Sequence, residues 1–329
     1  MFQTPGPVVV DLDDRSGGLL DPPVYRGGPR IGVVSADLPE AAWGAAAQGC
    51  DVVYATPQVA GDRRWCVGVD DPGGTAARVV DDLARHPQAA AVLAQVLRAG
   101  EHVSVAHALL VESFAYSTLL GGPEFAKWLA GRGEKPAPPP ASDPVLIDRD
   151  DDVLTIALNR PDRRNAYGAA LRDALNAAID VARYDSTVRA VHLRAVGSSF
   201  CSGGDLAEFG TTADVATAHV IRTAVGSGPR IAEIASTVTA FVHGGCVGAG
   251  IELPAMAGRV VMDPATIVHL PELSMGLIPG AGGTVSISRR IGRWRTFHLA
   301  ATDEVVDPAT ALAWGLCDAV EAVRPVDPR

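Results

Sequence analysis

A chain of 329 residues with 47% apolar and 20% charged side chains is globular in composition, long enough for one large domain or two of ordinary size. A formal net charge of -10, with no Lys/Arg block to offset it, excludes a general nucleic-acid surface. No run of about 18 apolar residues offers a membrane span, and the opening MFQTPGPVVVDLDD lacks a basic-then-apolar leader, so the expected compartment is the cytoplasm.

Residues 1–30 are rich in Pro, Gly and Asp and read as an irregular arm. Short strands are expected at 31–34 and 51–54 around a helix at 38–48, with Asp37 as N-cap and Glu40 as its capping-box partner. The dinucleotide fingerprint is absent, because Gly27-Gly28 precedes the strand instead of following it. Helical patterns follow at 75–85, 89–98 and 102–120. In the last of these Val105, Leu109, Glu112, Tyr116 and Leu119 share a face, which puts a carboxylate on or beside an apolar stripe. Glu112 is therefore either an edge group bonded to a neighbour or a contributor to a site or interface. Phe125 and Trp128 are expected to anchor the next turns by packing. The segment GRGEKPAPPPASDP, 131–144, is a linker, since a proline run can neither continue a helix nor enter a central strand. It divides an N-terminal extension, 1–140, from a second unit, 145–329.

The second unit alternates strands, at 153–158, 188–195, 237–242, 260–262 and 266–270, with helices at 166–183, within 210–236, and at 284–291, 293–301 and 308–314. A helix between the first two strands predicts that they run parallel. The helical stretch 210–236 should loosen near Gly226-Ser227-Gly228-Pro229. The five cysteines, at 50, 66, 201, 246 and 317, form no C-x-x-C and no metal spacing; they read as reduced thiols, and no metal site is expected.

The chemistry concentrates between His243 and Thr284. Two glycine-dense loops each carry one glutamate, Glu252 in HGGCVGAGIEL and Glu272 in PELSMGLIPGAGGT. Packed glycines let backbone N–H groups approach a ligand, and two carboxylates beside such donors suit proton or water chemistry. A structural alternative is that Glu252 opens a helix and satisfies that helix's own N–H groups.

Taken in order, NRP…NA at 159–166, FCSGGDL at 200–206, HGGCVGAGIEL at 243–253, PELSMGLIPGAGGT at 271–284 and ATDEVVDPATALAWGLCDAVEAV at 301–323 resemble the enoyl-CoA hydratase/isomerase (crotonase) family over about residues 150–323. The resemblance implies an α/β fold, a crotonase-like spiral of repeated ββα units, here with a mainly helical N-terminal region added. It implies an acyl-CoA substrate, with coenzyme A part of that substrate and no separate cofactor. Backbone N–H groups of Gly204 and Ala249 would hold the thioester oxygen as it becomes enolate-like, and Glu252 and Glu272 would hold water against C3 of a 2-enoyl-CoA. Gly203, Gly204, Gly248, Asn165 and Ala166 lie where relatives pass the CoA moiety. Isomerisation, thioester hydrolysis, cofactor-free oxygenation and non-catalytic acyl-CoA binding are the alternatives. A homotrimer or hexamer is the family's usual assembly.

Softer candidates surround these. Asp205 is expected to brace its loop through backbone hydrogen bonds, and Arg160, Arg163 and Arg164 either meet CoA phosphates or are surface arginines. His243 and His269 read as packed or solvent-facing strand-end histidines. Two features depart from the family pattern. Residues 1–140 are extra, resembling the helical extensions of specialised relatives such as the cofactor-free dioxygenase acting on dihydroxyphenylacetyl-CoA. The sequence also stops six residues after Val323, so the N-terminal helices either replace the family's C-terminal helices or leave the pocket open.

Overall fold

The computed structural model describes residues 6–13, 27–133, 136, 142–302 and 304–327. Of the proline-rich linker, residues 134, 135 and 137–141 lie outside the described residues, as do 1–5 and 14–26 of the N-terminal arm.

The first region is a parallel four-stranded sheet followed by helices. Its elements are β1 (Val8–Asp11), β2 (Arg30–Val33), α1 (Glu40–Gly49), β3 (Val52–Ala55), α2 (Pro57–Ala60), β4 (Cys66–Gly68), α3 (Pro72–Arg85), α4 (Pro87–Ala99), α5 (Val105–Leu120) and α6 (Pro123–Arg132). The strands lie in the order β1-β2-β3-β4. β1, within the stretch read as an irregular arm, and β4, only three residues long, escape the sequence reading. The expected capping box is also replaced. Pro39 occupies the N-cap of α1, and the Asp37 carboxylate instead accepts from Trp43 Nε1 at 2.9 Å and from Arg63. The later helices start as their sequences dictate, with Pro72, Pro87 and Pro123 in first turns and Asp71 and Ser104 capping α3 and α5.

The second region holds β5 (Val145–Asp150), β6 (Val153–Leu158), α7 (Ala169–Tyr184), β7 (Ala190–Ala195), α8 (Val215–Val225), α9 (Ser227–Glu233), β8 (Val238–Val242), β9 (Gly245–Val247), α10 (Ala249–Glu252), β10 (Arg259–Met262), β11 (Ile267–His269), α11 (Gly283–Ala301), α12 (Pro308–Trp314) and β12 (Ala319–Val320). A six-stranded sheet runs β12-β10-β8-β7-β6-β5, and β9 pairs with β11 in a small second sheet. The chain thus gives a strand to the large sheet, turns, and gives the next to the small one: β8 then β9, β10 then β11. β6 and β7 are parallel, as a helical crossover requires, and α7 buries Leu171, Leu175 and Ile179. β5 is an unexpected antiparallel edge strand whose mostly exposed, charged residues carry no apolar alternation to reveal it. α11 is broken at Gly292 (φ 83°, ψ 156°), so it is two helices end to end, as the sequence indicates.

One hydrophobic cluster joins both regions, running from Val52 and Tyr54 through Leu93 of α4 to Ile156, Leu193 and Val260. Alternate residues of β3, Val53 and Ala55, face a second, smaller cluster around Trp43. The second half of α11 lies on the first sheet. His298 Nδ1 meets the Tyr54 hydroxyl at 2.9 Å, and Arg293 donates to the carbonyls of Ala47 and Cys50. Among the described residues no helix is long and apolar enough to cross a membrane, and no cluster of His, Cys, Asp or Glu could hold a metal ion.

Candidate active site

Backbone pairing between two glycine loops creates the site. The N–H groups of Phe200 and Cys201 donate to His243 and Gly245, and Val247 donates back to Cys201 at 3.0 Å. Such close approach tolerates no side chain at Gly250, where a Cβ would collide with the Cys201 carbonyl. Gly203 and Gly248 take φ of 97° and 49°, the left-handed region that glycine enters without penalty. They turn the chain so that the next residues, Gly204 and Ala249, line one cavity of about 520 Å³. Among the described residues no hydrogen bond uses the N–H of Gly204 or of Ala249. Phe209 lies against Gly204 so closely that a Cβ there would sit 2.7 Å from the ring.

Glu252 and Glu272 line the same cavity. Glu252 ends the short helix α10 instead of opening it, and its carboxylate leaves that helix altogether, which overturns the capping alternative. Its Oε2 accepts from the N–H groups of Ala281 and Gly283, each at 2.8 Å. Glu272 begins the turn Glu272–Met275, and among the described residues its buried Oε2 has no hydrogen-bond partner. Burial pushes the Glu252 carboxyl up to about 7, opposed by the two N–H groups it accepts from. Burial first, and the Glu252 charge second, raise Glu272 well above the usual carboxylate range.

A third carboxylate enters from the N-terminal region. Glu112 of α5 is 2% exposed, accepts from Gly282 N at 2.8 Å, Thr284 N at 3.0 Å and Thr284 Oγ1 at 2.6 Å, and lines the cavity. Glu112 is thus bonded to its neighbours, as one of its two readings expected, and it also lines the candidate cavity. Tyr116, one turn further along α5, packs on Gly280, and the Arg222 guanidinium of α8 lies 4.6 Å from the centre of its ring. The α5 face that meets the cavity also buries Ser113 and Ser117, both bonded to Arg222. Arg222 carried no signal in the sequence, since a single arginine in a helical stretch is ordinarily solvated.

Other candidates are placed differently. Asn165 is fully buried and outside the cavity lining; its Oδ1 accepts from Arg160 N at 2.6 Å and its Nδ2 donates to the carbonyls of Val196 and Ser199. Ala166, Gly203 and Gly248 are likewise not lining residues. Arg163 is committed to Asp205 through Nε at 3.1 Å and Nη2 at 2.7 Å, and Asp205 also accepts from Ala207 N. His243 is buried, with Nε2 against the Gly197 carbonyl, and His269 is half-buried at the end of β11. All five cysteines are buried free thiols; burial pushes Cys201 up to about 12, far from a nucleophile's range.

The profile described as Enoyl-CoA hydratase/isomerase matches residues 148–327 of this sequence. The chain belongs to the enoyl-CoA hydratase/isomerase family. A Mycobacterium tuberculosis relative named "probable enoyl-CoA hydratase" is 34% identical over 184 residues, which cover 55% of this chain and 67% of the relative. The crystal structure of an enoyl-CoA hydratase from Mycobacterium smegmatis superposes with a TM-score of 0.51 at 32% identity, over 55% of this chain and 71% of that one. An enoyl-CoA hydratase from Thermoplasma volcanium gives the same TM-score at 29% identity, over 55% and 72%. The alternating large-sheet and small-sheet strands are thus the family's spiral. The sheet β1–β4 and the helices α1–α6 lie outside the matched segment.

Proposed function

We propose that the protein is an enoyl-CoA hydratase, adding water across the 2,3 double bond of an acyl-CoA thioester. The observation that carries this reading is the convergence of Glu252, Glu272 and the unused N–H groups of Gly204 and Ala249 on one cavity. The two N–H groups receive the thioester oxygen, on which charge develops as water attacks C3. Glu252 accepts the proton released by that water, and Glu272, held neutral by burial, gives its proton to C2. The water oxygen and one of its hydrogens remain on C3. The other hydrogen passes to Glu252, and proton exchange between the two glutamates restores the starting state. Loops around Asn165 and Ala166 would carry the CoA moiety through backbone contacts. The relatives' names support the thioester substrate, and the cytoplasm and a homotrimer or hexamer are the compartment and assembly this reading carries with it.

A second reading is double-bond isomerisation. It is favoured by the engagement of Glu252 Oε2 with Ala281 and Gly283, which leaves Glu272 as the carboxyl with an unpartnered buried oxygen. Incubation with 2-enoyl- and 3-enoyl-CoAs in ¹⁸O-labelled water separates the two. Hydration puts label at C3, whereas isomerisation moves the double bond without label. Label incorporation that survives both Glu252→Gln and Glu272→Gln would remove the proposed carboxylate roles.

A further inference from the structure

The hydration scheme leaves Glu112 unused, although this carboxylate is buried in the same cavity as Glu252 and Glu272. Its hydrogen bonds interleave with those of Glu252. Along the N-terminus of α11, Ala281 N and Gly283 N donate to Glu252, and Gly282 N and Thr284 N donate to Glu112. Four successive N–H groups are shared by two carboxylates that come from segments 140 positions apart in the sequence. A helix N-terminus carries only about half an elementary positive charge, too little to neutralise two anions.

One cation acts on the pair from α8: the Arg222 guanidinium interacts with the Glu112 charge, though among the described residues no hydrogen bond joins them. From α5 comes Tyr116, a neutral phenol; from the Glu272–Met275 turn comes Glu272, a third carboxyl. Arg222 of α8 directs its N–H groups to Ser113 and Ser117 and its face to the Tyr116 ring. His219, also on α8, is bonded to Ser113 Oγ and stacked on Phe114. Two buried carboxyls that share the half-charge of one helix terminus, with Arg222 bonded to serines and not to them, retain a proton.

We propose that Glu112 is a positioning residue for the reaction, and that Glu112 and Glu252 hold one proton between them across the N-terminus of α11. The inference rests on the reading of Glu252 as the group that takes the water proton. The negative charge of Glu112 then sets how readily Glu252 accepts that proton, and α5 makes the N-terminal region part of the catalytic apparatus. Burial, and after it the Glu252 charge, push Glu112 up to about 8, in keeping with a pair that is singly protonated near neutral pH.

The test is a difference-infrared titration of the carboxyl groups of the full-length, substrate-free protein, with a pH profile of kcat/KM in parallel. Glu112→Gln keeps the side-chain size, and the amide can accept from Gly282 N and donate to Thr284 Oγ1, at the loss of the acceptor for Thr284 N. Removing the charge should shift the Glu252 step down, and the acidic limb of kcat/KM should move with it. Thr284→Val keeps the carboxylate at 112 but deletes its shortest donor. The shared proton should then settle on Glu112, again lowering the Glu252 step. Thr284→Val carries the test alone if Glu112→Gln does not fold. A Glu252 step that stays in place in these variants would reduce Glu112 to a structural brace and overturn the proposal. The infrared readout needs no turnover, so failure of the hydratase reading, seen as no reaction with any enoyl-CoA, is distinguishable from failure of the shared proton.

Discussion

The Tyr116 ring of α5 rests directly on the backbone of Gly280, so closely that a Cβ at 280 would overlap ring atoms. This contact couples the N-terminal region to the loop that presents Ala281 and Gly283 to Glu252. Gly280→Ala must displace the ring or the loop, and overpacking of this kind costs about 1–3 kcal/mol. We expect a lowered Tm and a lowered kcat in Gly280→Ala. Tyr116→Ala is itself destabilising, at about 3–5 kcal/mol for loss of a buried aromatic ring, but it should cost less in the Gly280→Ala background than in the parent. A double-mutant cycle measures the coupling, and simple additivity of the two changes would show that ring and glycine do not act as one unit.

The hydratase scheme fixes the sign of the pH dependence. Glu252 works as a carboxylate, so kcat/KM should rise with pH as this group, pushed up to about 7, loses its proton. Glu272 works as an acid and is raised well above the usual range, so activity should fall on a second, more alkaline limb. Glu252→Gln should abolish the first limb and Glu272→Gln the second, each lowering kcat on the order of 10²–10⁴-fold. A profile in which the two substitutions affect the same limb would contradict the assigned roles.

Stability should vary with pH in the opposite sense from that of a protein held by salt-bridged carboxylates. Glu112 and Glu252 are raised in the folded state from an ordinary 4.5 to about 8 and about 7, so between these values the native protein binds more protons than the unfolded chain. Their contribution is fully present below the unfolded value and is lost as pH rises through the folded values. Each such group contributes a slope of up to about 1.4 kcal/mol per pH unit. Denaturant midpoints of the substrate-free protein should therefore fall from mildly acidic to mildly alkaline pH, and Glu112→Gln should flatten that decline. An unchanged slope in the variant would place the titrating group elsewhere.

Much of the site was legible because its chemistry is carried by backbone conformation. Gly203 and Gly248 need left-handed φ, and a run of glycines records such a need in the sequence itself. Glu252 and Glu272 stood out for the same reason, as single carboxylates beside those turns. Glu112 was visible only as an anomaly on a helix face. Nothing local to α5 states that it packs against residues 281–284, because that contact is a property of tertiary packing. Arg222 was invisible for the same reason, and β5 because an exposed edge strand needs no apolar face. The reading of Glu252 as a helix opener failed on one detail: α10 is a single turn, and the carboxylate finds its N–H partners on a helix 31 residues away.

Asn165 separates loop architecture from ligand binding. Its backbone is left-handed, with φ of 54°, and its buried amide satisfies Arg160 N and the carbonyls of Val196 and Ser199. Asn165→Ala keeps a Cβ in that conformation but loses the side-chain hydrogen bonds that let Asn hold it, and strands three buried polar groups at about 1–3 kcal/mol each where water cannot enter. Asn165→Gly loses the same hydrogen bonds without the backbone penalty, so the difference between the two variants reads the strain alone, about 1 kcal/mol in favour of Gly. Both should unfold at lower denaturant concentration than the parent. Because the side chain does not line the cavity, the protein that remains folded should keep its kcat. A selective rise in KM for the CoA thioester, with Tm unchanged, would instead make the Asn165 side chain a ligand-binding group and the loop's rigidity independent of it.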